Sequence, residues 1–572
     1  MSVRSFGGIL ATLAERRPEA PAFTFLGDDL DQVEEVTYGG LHRRAQSIAA
    51  ALVERCAPGD RVLLLFPPGL DYVAAVFGCF QAAVVGVSAP PPHPRRLQRT
   101  LGRLTRIAGD AEVVAVLTTG AIRDAARGFV GDALAGPDWI AIDALPAADR
   151  EYLREPGADD LAFLQYTSGS TQDPRGVMLS HENLLSNSRA ITEAFGAGTE
   201  GDEVRGLIWL PPYHDMGLIG GILQPVHLGK QCVLMSPLTV VKRPQRWLEA
   251  ISRYRATTSG GPNFAYDLCV RRIDAEVRER LDLSSWRVAF NGAEPIRAET
   301  IAAFGAAFGP SGFARSAFLP CYGLAEATLI VTGADDRSEP ALLEVDPVAL
   351  EDGRLEPARA GGATRTLVGC GAPYRRHQLR IVDPERRVAS AEGRVGEIWV
   401  AGPGVALGYW KQEELTADHF GARLAGEEEV RYLRTGDLGA LLDGELYVVG
   451  RIKELILVNG RNLHPHDIEF VAESAYAGLR RHSSAAFDRG GPDGPVRPAI
   501  LLELDQGVEA DGAAVIAAVR RRVAADLELA LDWVGLCPSG TIPKTTSGKI
   551  QRGLCRELVE GGEIELSAWS DR

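Results

Sequence analysis

The chain has 572 residues, 45% hydrophobic and 24% charged, which excludes a disordered protein and calls for several domains, not one core. A formal net charge of -15 excludes nucleic acid as the main partner, because phosphate-backbone binding needs a basic footprint. The eight cysteines are scattered with no C-x-x-C pair, so reduced thiols are expected and a structural zinc site is not.

The opening MSVRSFGGIL lacks an apolar run long enough for a secretory signal. Residues 41–56 have helical periodicity, Gly59-Asp60 breaks it, and residues 61–66 (RVLLLF) form an apolar strand. The most apolar stretch, residues 72–89, is interrupted by Gln81 and glycines, so it reads as a buried helix running into a buried strand and not as a membrane span. A helix over 71–83 and a strand over 84–87 continue the alternation, which returns at 113–117 and 287–290. This rhythm predicts an α/β protein with sheets covered by helices. Pro90-Pro91-Pro92-His93-Pro94 is a rigid surface loop. From about Gly361 the segments become short and β-rich (377–382, 396–400 and 445–449), and after Arg451 a small α+β unit with a helix over 512–527 closes the chain. The chain is expected to be cytoplasmic.

Two loops carry the first chemical signal. After a strand over 161–165 comes Tyr166-Thr167-Ser168-Gly169-Ser170-Thr171, dense in hydroxyls and glycine. Such a loop offers backbone N–H groups and hydroxyl donors to phosphate oxygens, although it is no Walker loop and, taken alone, an ordinary Ser/Gly turn competes with that reading. The second is Thr545-Thr546-Ser547-Gly548-Lys549, a glycine-containing loop able to carry an ammonium into a cleft.

In their company the chain resembles the adenylate-forming superfamily of acyl-CoA synthetases, firefly luciferase and peptide-synthetase adenylation domains. The matching segments run in order over nearly the whole chain: YTSGST at 166–171, NGAEP at 291–295, YGLAEAT at 322–328, RTGDLG at 434–439, GRIKELI at 450–456 and PKTTSGKIQR at 543–552. The resemblance implies a large N-terminal domain over 1–450 with a β-rich subdomain at about 361–450, and a small mobile C-terminal domain over 451–572. It implies ATP and Mg²⁺ as cofactors. Lys549 is then the catalytic cation that meets charge growing on the α-phosphate, Glu326 and Thr167 are the metal ligands, and His214 orients the substrate carboxylate. Thr167, Ser168, Gly169, Ser170 and Thr171 bind phosphate. Gly292, Ala293 and Glu294 with Tyr322 and Gly323 surround adenine, and Asp437 and Arg451 meet the ribose or phosphate. Lys453 falls at the family's hinge. Arg175 departs from the lysine frequent there, and Asp173 adds an acid to the loop, which leaves the loop's detailed contacts open.

The string Trp209 to Gly221, with Tyr213-His214-Asp215 inside it, is similar to the fatty acyl-AMP ligases, which pass fatty acids to acyl carrier proteins. Asp215 has a competing reading as an anchor for an amino-acid substrate's ammonium. The apolar stretches 219–223 and 260–264 are candidates to line an alkyl tunnel, or plain core. A long segment after Thr328 has room, within about 333–368, for the insertion that in these ligases packs on the small domain and disfavours use of CoA. His464 and His466 make a poor metal site without further ligands. The arginines 520–522 read as a solvated helix face in preference to a carrier contact. The implied function is activation of a fatty acid as acyl-adenylate and transfer to a carrier-protein thiol. An acyl-CoA synthetase, a catalytically silent binder and a free-standing amino-acid adenylating enzyme are the alternatives.

Overall fold

The computed structural model describes all residues except 1–3, 92–96, 128–133, 168–173, 197–203, 335–337, 375, 459–460, 491–494, 546–547 and 572. The apolar run at Arg61–Leu64 lies inside a seven-stranded sheet, where it pairs in parallel with Val85–Ser88 and Ala115–Thr118. Leu161–Thr167 joins in parallel on the far side of Val85–Ser88, and Arg175–Ser180 and Gly408–Tyr409 finish that edge in antiparallel. Strands buried on both faces need continuous apolar sequence, and these have it. The helix Leu70–Ala82 buries every residue but Asp71, which accounts for its lack of a polar stripe.

A nine-stranded sheet carries Thr258–Gly261, Val288–Asn291 and Phe318–Gly323 side by side in parallel. Gly260 permits this close layering, since a Cβ there would stand 2.1 Å from the Phe290 carbonyl oxygen. Behind these strands Trp247, Trp286, Tyr266, Phe304 and Phe318 pack edge to face, with Trp247–Trp286 centroids 5.4 Å apart. The Trp247 indole N–H donates to Ser259 Oγ at 2.8 Å, so the polar handle is satisfied.

A six-stranded sheet follows, from Gln378–Asp383 through the sixteen-residue strand Glu427–Leu442 to Glu445–Arg451. Arg365–Val368, within the stretch expected to hold the insertion and near the expected start of β-rich texture, pairs with Leu342–Val345 as a separate ribbon that holds the short helix Pro347–Glu351. The C-terminal unit is a four-stranded sheet, Leu479–Asp488, Pro498–Leu504, Trp533–Cys537 and Ala568–Asp571, with the helices Pro465–Glu473, Gly512–Leu527 and Arg552–Glu560.

Other differences from the sequence reading have local causes. The second helix starts at Tyr38, ahead of residue 41, because Thr37 Oγ1 caps it by accepting from Gly40 N at 3.1 Å. The expected solvated face at 520–522 fails at Arg520, whose guanidinium donates to the backbone carbonyls of Leu531 and Ser570 and ties the helix to its sheet. Arg522 pairs with Asp526 at 2.8 Å. No helix among the described residues is long and apolar enough to cross a membrane.

Trp247→Ala removes a fully buried indole and one of the two hydrogen bonds of the Ser259 hydroxyl, which keeps the Leu207 carbonyl as acceptor. It should destabilise the large body by about 3–5 kcal/mol, read as an earlier denaturant midpoint of its unfolding transition; a shift under about 1 kcal/mol would contradict the packing account.

Candidate active site

A cavity of about 2790 Å³ lies between the large body and the C-terminal unit. Its wall includes Thr167, His214, Gly292, Ala293, Glu294, Tyr322, Gly323, Glu326, Asp437, Arg451 and Lys549. Ser168, Gly169, Ser170 and Thr171 lie outside the described residues.

One side is built on Asp437. Gly436 has φ 70°, which turns the chain and presents the Asp437 side chain inward. Tyr322 OH donates to Asp437 Oδ2 at 2.8 Å, and Arg451 Nε donates to Oδ1 at 2.7 Å. Burial, then the Asp437 charge, pushes the Tyr322 phenol well above its ordinary value, so it stays a donor. The Asp437 carboxylate raises the Arg451 pKa and keeps the guanidinium charged. Behind this turn stands Glu397, which the sequence reading missed. Its buried carboxylate accepts from Gly436 N at 3.1 Å, Trp399 Nε1 at 2.9 Å and Arg434 Nε at 3.0 Å. Its only sequence signal is an acid amid the apolar strand Gly396–Ala401.

Ala293 is held at φ 69°, and a Cβ on Gly292 would come 2.9 Å from the Cys321 carbonyl oxygen, so that turn is close-packed. Glu294 Oε1 accepts from Phe264 N at 2.6 Å and thereby anchors the N-terminus of the helix Asn263–Arg272. The expected loop carboxylate Glu326 sits in the turn Ala325–Ala327, where Tyr409 OH donates to its Oε1 at 3.0 Å. The Arg175 guanidinium lies 5.6 Å over the Tyr409 ring, and Arg175 pairs across the sheet with Thr167. Thr167 and Glu326 are thus linked through two intervening side chains.

The opposite side is built on the turn before the π-helical segment Met216–Leu223. Asp215 Oδ1 accepts from Met216 N at 2.6 Å and lies 2.5 Å from His214 Nδ1. Burial opposes ionisation of Asp215, yet His214 and then Lys549 hold its carboxyl below the usual range. Beyond it the cavity continues past Phe195, Ile208, Gly220 and Leu228. Of the two apolar stretches singled out, 219–223 lies in the π-helical segment, whereas 260–264 divides between the strand Thr258–Gly261 and the helix Asn263–Arg272.

Lys549 closes the gap between the two sides. Burial, then Arg451, lowers its pKa, against the charges of Asp215, Asp437 and Glu294. Its loop is self-braced: Thr545 N donates to the Lys549 carbonyl at 2.8 Å and Lys549 N to Thr545 Oγ1 at 3.1 Å. Gly548, at φ 91°, lets the loop lie on Phe264, whose ring is 3.0 Å from where a Cβ would be. Lys544 Nζ bonds the His482 carbonyl at 2.6 Å, and His482 Nε2 pairs with Asp267 Oδ2 at 3.2 Å. Although burial opposes it, His482 and Arg271 hold Asp267 down to about 2.

The ribbon at 342–368 meets the C-terminal unit through Arg461, bidentate on Glu351 at 2.6 and 2.8 Å, and through Arg365–Asp467 at 2.7 Å. Lys453 lies in the turn Ile452–Glu454 at that junction. His464 and His466 pack 5.6 Å apart, but no group of three or more His, Cys, Asp or Glu suited to a metal occurs among the described residues.

Residues 10–410 match the AMP-binding enzyme family. The medium-chain-fatty-acid–[acyl-carrier-protein] ligase JamA of Moorena producens (strain JHB) is 41% identical over 563 residues, covering 96% of this chain and 94% of that protein. A crystal structure of a fatty acid AMP ligase from Legionella pneumophila aligns with TM-score 0.76 at 38% identity over 100% of this chain and 98% of that one. A structure from work on fatty acyl-adenylate ligases of E. coli and L. pneumophila aligns with TM-score 0.90 at 32% identity, covering 98% and 99%.

Glu397→Ala leaves the Gly436 amide without its acceptor and Arg434 with only the longer pair to Asp418 at 3.6 Å among the described residues. Native-state hydrogen exchange at Gly436 and Asp437 should accelerate, with a loss of about 3–5 kcal/mol in the β-rich sheet; unchanged protection would show that Glu397 does not hold the turn.

Proposed function

The chain belongs to the AMP-binding enzymes, and from that premise we propose that it is a fatty acyl-AMP ligase that hands its product to an acyl carrier protein. In the first step a fatty-acid carboxylate oxygen attacks the α-phosphorus of ATP, the bond to the β-phosphate oxygen breaks, and pyrophosphate leaves. In the second, a phosphopantetheine thiol sulfur attacks the acyl carbon, the carbon–oxygen bond to AMP breaks, and AMP leaves as the thiol proton is released.

The observation that carries the reading is the position of Lys549, under the joint influence of Asp215, beside His214, and of Asp437, beside Tyr322 and Arg451. Two anions must meet for the first step, and a desolvated ammonium between the acid-binding and nucleotide-binding ends lowers that barrier. His214, held by Asp215, orients the acid. Asp437 and Arg451 take the ribose and phosphate, Tyr322 flanks adenine with Gly292, Ala293, Glu294 and Gly323, and the segment 167–171 takes the phosphates. The phosphate segment from Ser168 on rests on sequence alone.

Glu326, with Thr167, would hold Mg²⁺. With no three-acid cage among the described residues, a single carboxylate braced by Tyr409 suits an ion that takes its other ligands from ATP oxygens and water. When bound, the ion supplies charge neutralisation at the phosphates.

We assign residues 1–450 to a large domain, with the β-rich part at about 361–450 and the ligase-type insertion within 333–368, and residues 451–572 to a small domain that turns about Lys453. The ion pairs Glu351–Arg461 and Arg365–Asp467 tie the insertion to the small domain and support a carrier thiol over CoA as acceptor. A reducing, cytoplasmic setting fits the eight free cysteines, seven of them buried.

The test supplies ATP, Mg²⁺ and fatty acids of graded length, then either CoA or a phosphopantetheinylated carrier. Acyl-AMP and acyl-carrier are expected, and abundant acyl-CoA would refute the ligase reading. Lys549→Ala should lose on the order of 10²–10³ in adenylation rate while still binding ATP. The ammonium is the working form and its pKa is lowered from 10.5, so the rate should fall as pH rises through a value below 10.5; Lys549→Arg should move that limb upward. The double variant Arg365→Ala/Arg461→Ala should raise acyl-CoA formation while adenylation persists; no gain in acyl-CoA would show that these pairs do not govern acceptor choice.

A further inference from the structure

The backbone just after Glu326 is held in a conformation that side-chain-bearing residues rarely adopt. Thr328 has φ 68° and ψ -62°, and across it Leu329 N donates to the Ala327 carbonyl at 2.8 Å. That is a γ-turn of the rare, strained kind, centred on a β-branched residue that is fully buried. Gly323 lets the turn fold back tightly, since a Cβ there would overlap the Leu329 carbonyl oxygen. Strain of this sort persists only where the surroundings over-determine it, and it gathers at functional sites.

Those surroundings come from one helix. His181–Ala194 follows directly on the strand Arg175–Ser180, which pairs with the strand that ends in Thr167. Asn183 and Asn187 lie four residues apart, on one face of that helix. Buried Asn187 turns its whole amide on the segment after Glu326. Its Nδ2 donates to the carbonyls of Ala327 at 3.2 Å and Ile330 at 3.0 Å, and its Oδ1 accepts from Ile330 N at 3.2 Å. Asn183 Nδ2 donates to the carbonyls of Pro403 and Val405, each at 2.9 Å, while its Oδ1 and N complete the cap with Ser180. The two segments so held are also joined to each other: Thr328 Oγ1 donates to the Gly404 carbonyl at 2.6 Å, and Ala406 N to the Glu326 carbonyl at 2.9 Å. None of these bonds uses the Glu326 carboxylate, which Tyr409 OH reaches separately.

We propose that Asn187 and Thr328 are positioning residues that fix the Glu326 carboxylate relative to Thr167, so that it is preorganised for the divalent ion accompanying ATP. This rests on the metal assignment in the ligase reading above and adds what sets its geometry. Neither side chain is among those lining the cavity, so each acts through the backbone of 326–330 and not on ATP or the ion. Without the amide and the hydroxyl the strained turn relaxes, and the carboxylate has to be ordered as the ion binds. The loss then falls on the response of ATP binding to Mg²⁺ and not on the nucleotide contacts proposed for Tyr322 and Asp437.

The experiment measures ATP binding by calorimetry with no acid present, once in Mg²⁺ and once in EDTA, and takes the ratio of the two Kd values. Glu326→Gln, which keeps shape and removes charge, gives the ratio with the carboxylate lost. Thr328→Val keeps volume and loses the hydroxyl, so the tightening by Mg²⁺ should fall about fivefold toward that of Glu326→Gln, and in Asn187→Ala at least as far. Thr328→Ser retains the hydroxyl, and its ratio should stay within about twofold of wild type. The Kd in EDTA should stay within about twofold of wild type throughout, because Tyr322 and Asp437 bind each other and not these side chains, and this also reports folding. A side chain that merely stabilised the fold would weaken binding equally with and without Mg²⁺. An unchanged ratio in Thr328→Val, an equal loss in Thr328→Ser, or a parallel loss in EDTA would each overturn the proposal, and the valine and serine variants decide it even where Asn187→Ala does not fold. A wild type whose ATP binding ignores Mg²⁺, or a ratio that Glu326→Gln leaves unchanged, would instead refute the metal assignment, and the proposal with it.

Discussion

Everything at this site depends on keeping one lysine charged where burial works against the charge. Lys549 is carried by the C-terminal unit, and only when that unit is docked does it come under the fields of Asp215, Asp437 and Glu294, all from the large body. Neither part has the arrangement alone. Desolvation strengthens the electrostatic pull of the ammonium on a reacting phosphate, and it would expel or neutralise the lysine without those carboxylates. The proposed chemistry therefore depends on domain docking as directly as on any single residue.

The helix Asn263–Arg272 transmits that docking. Glu294 anchors its first turn, Phe264 seats the lysine loop at Gly548, and Asp267 pairs with His482 of the small unit. Its inward face presents Tyr266 to the aromatic cluster of Trp247, Trp286 and Phe304, so the docking surface is backed by a buried, close-packed aromatic core. On the other flank the ribbon at 342–368 takes hold of the same unit through Glu351 and Arg365. A unit gripped on two sides has a defined seat, and the acceptor step of the proposed reaction requires it to leave that seat.

The sequence disclosed the fold class because short apolar runs alternating with helical periodicity admit few architectures, and six motifs in order located the residues that line the cavity. What it did not disclose depends on distance along the chain. Glu397 holds the Gly436 turn from 39 residues away, and as an acid within an apolar strand it had no local pattern to announce it. Arg520 looked like surface decoration because the carbonyls that receive it belong to Leu531 and Ser570. Both strands of the ribbon fall inside the stretch expected to hold the insertion, but their pairing, Leu342–Val345 with Arg365–Val368 across an intervening helix and loop, was not legible for the same reason. His214 and Asp215 are neighbours in sequence, yet only the fold reveals that Asp215 caps the next helical turn while holding the histidine.

The alternation between a docked unit that activates the acid and a displaced one that accepts the thiol can be tested by arresting it. Cysteines in the Asp267→Cys/His482→Cys variant, joined by a short cleavable bismaleimide, hold the unit in the docked arrangement. The locked protein should form acyl-AMP and pyrophosphate in a single turnover and fail to pass the acyl group to a phosphopantetheinylated carrier until the linker is cut. Full-rate transfer from the locked protein, or no acyl-AMP despite successful linking, would contradict the account.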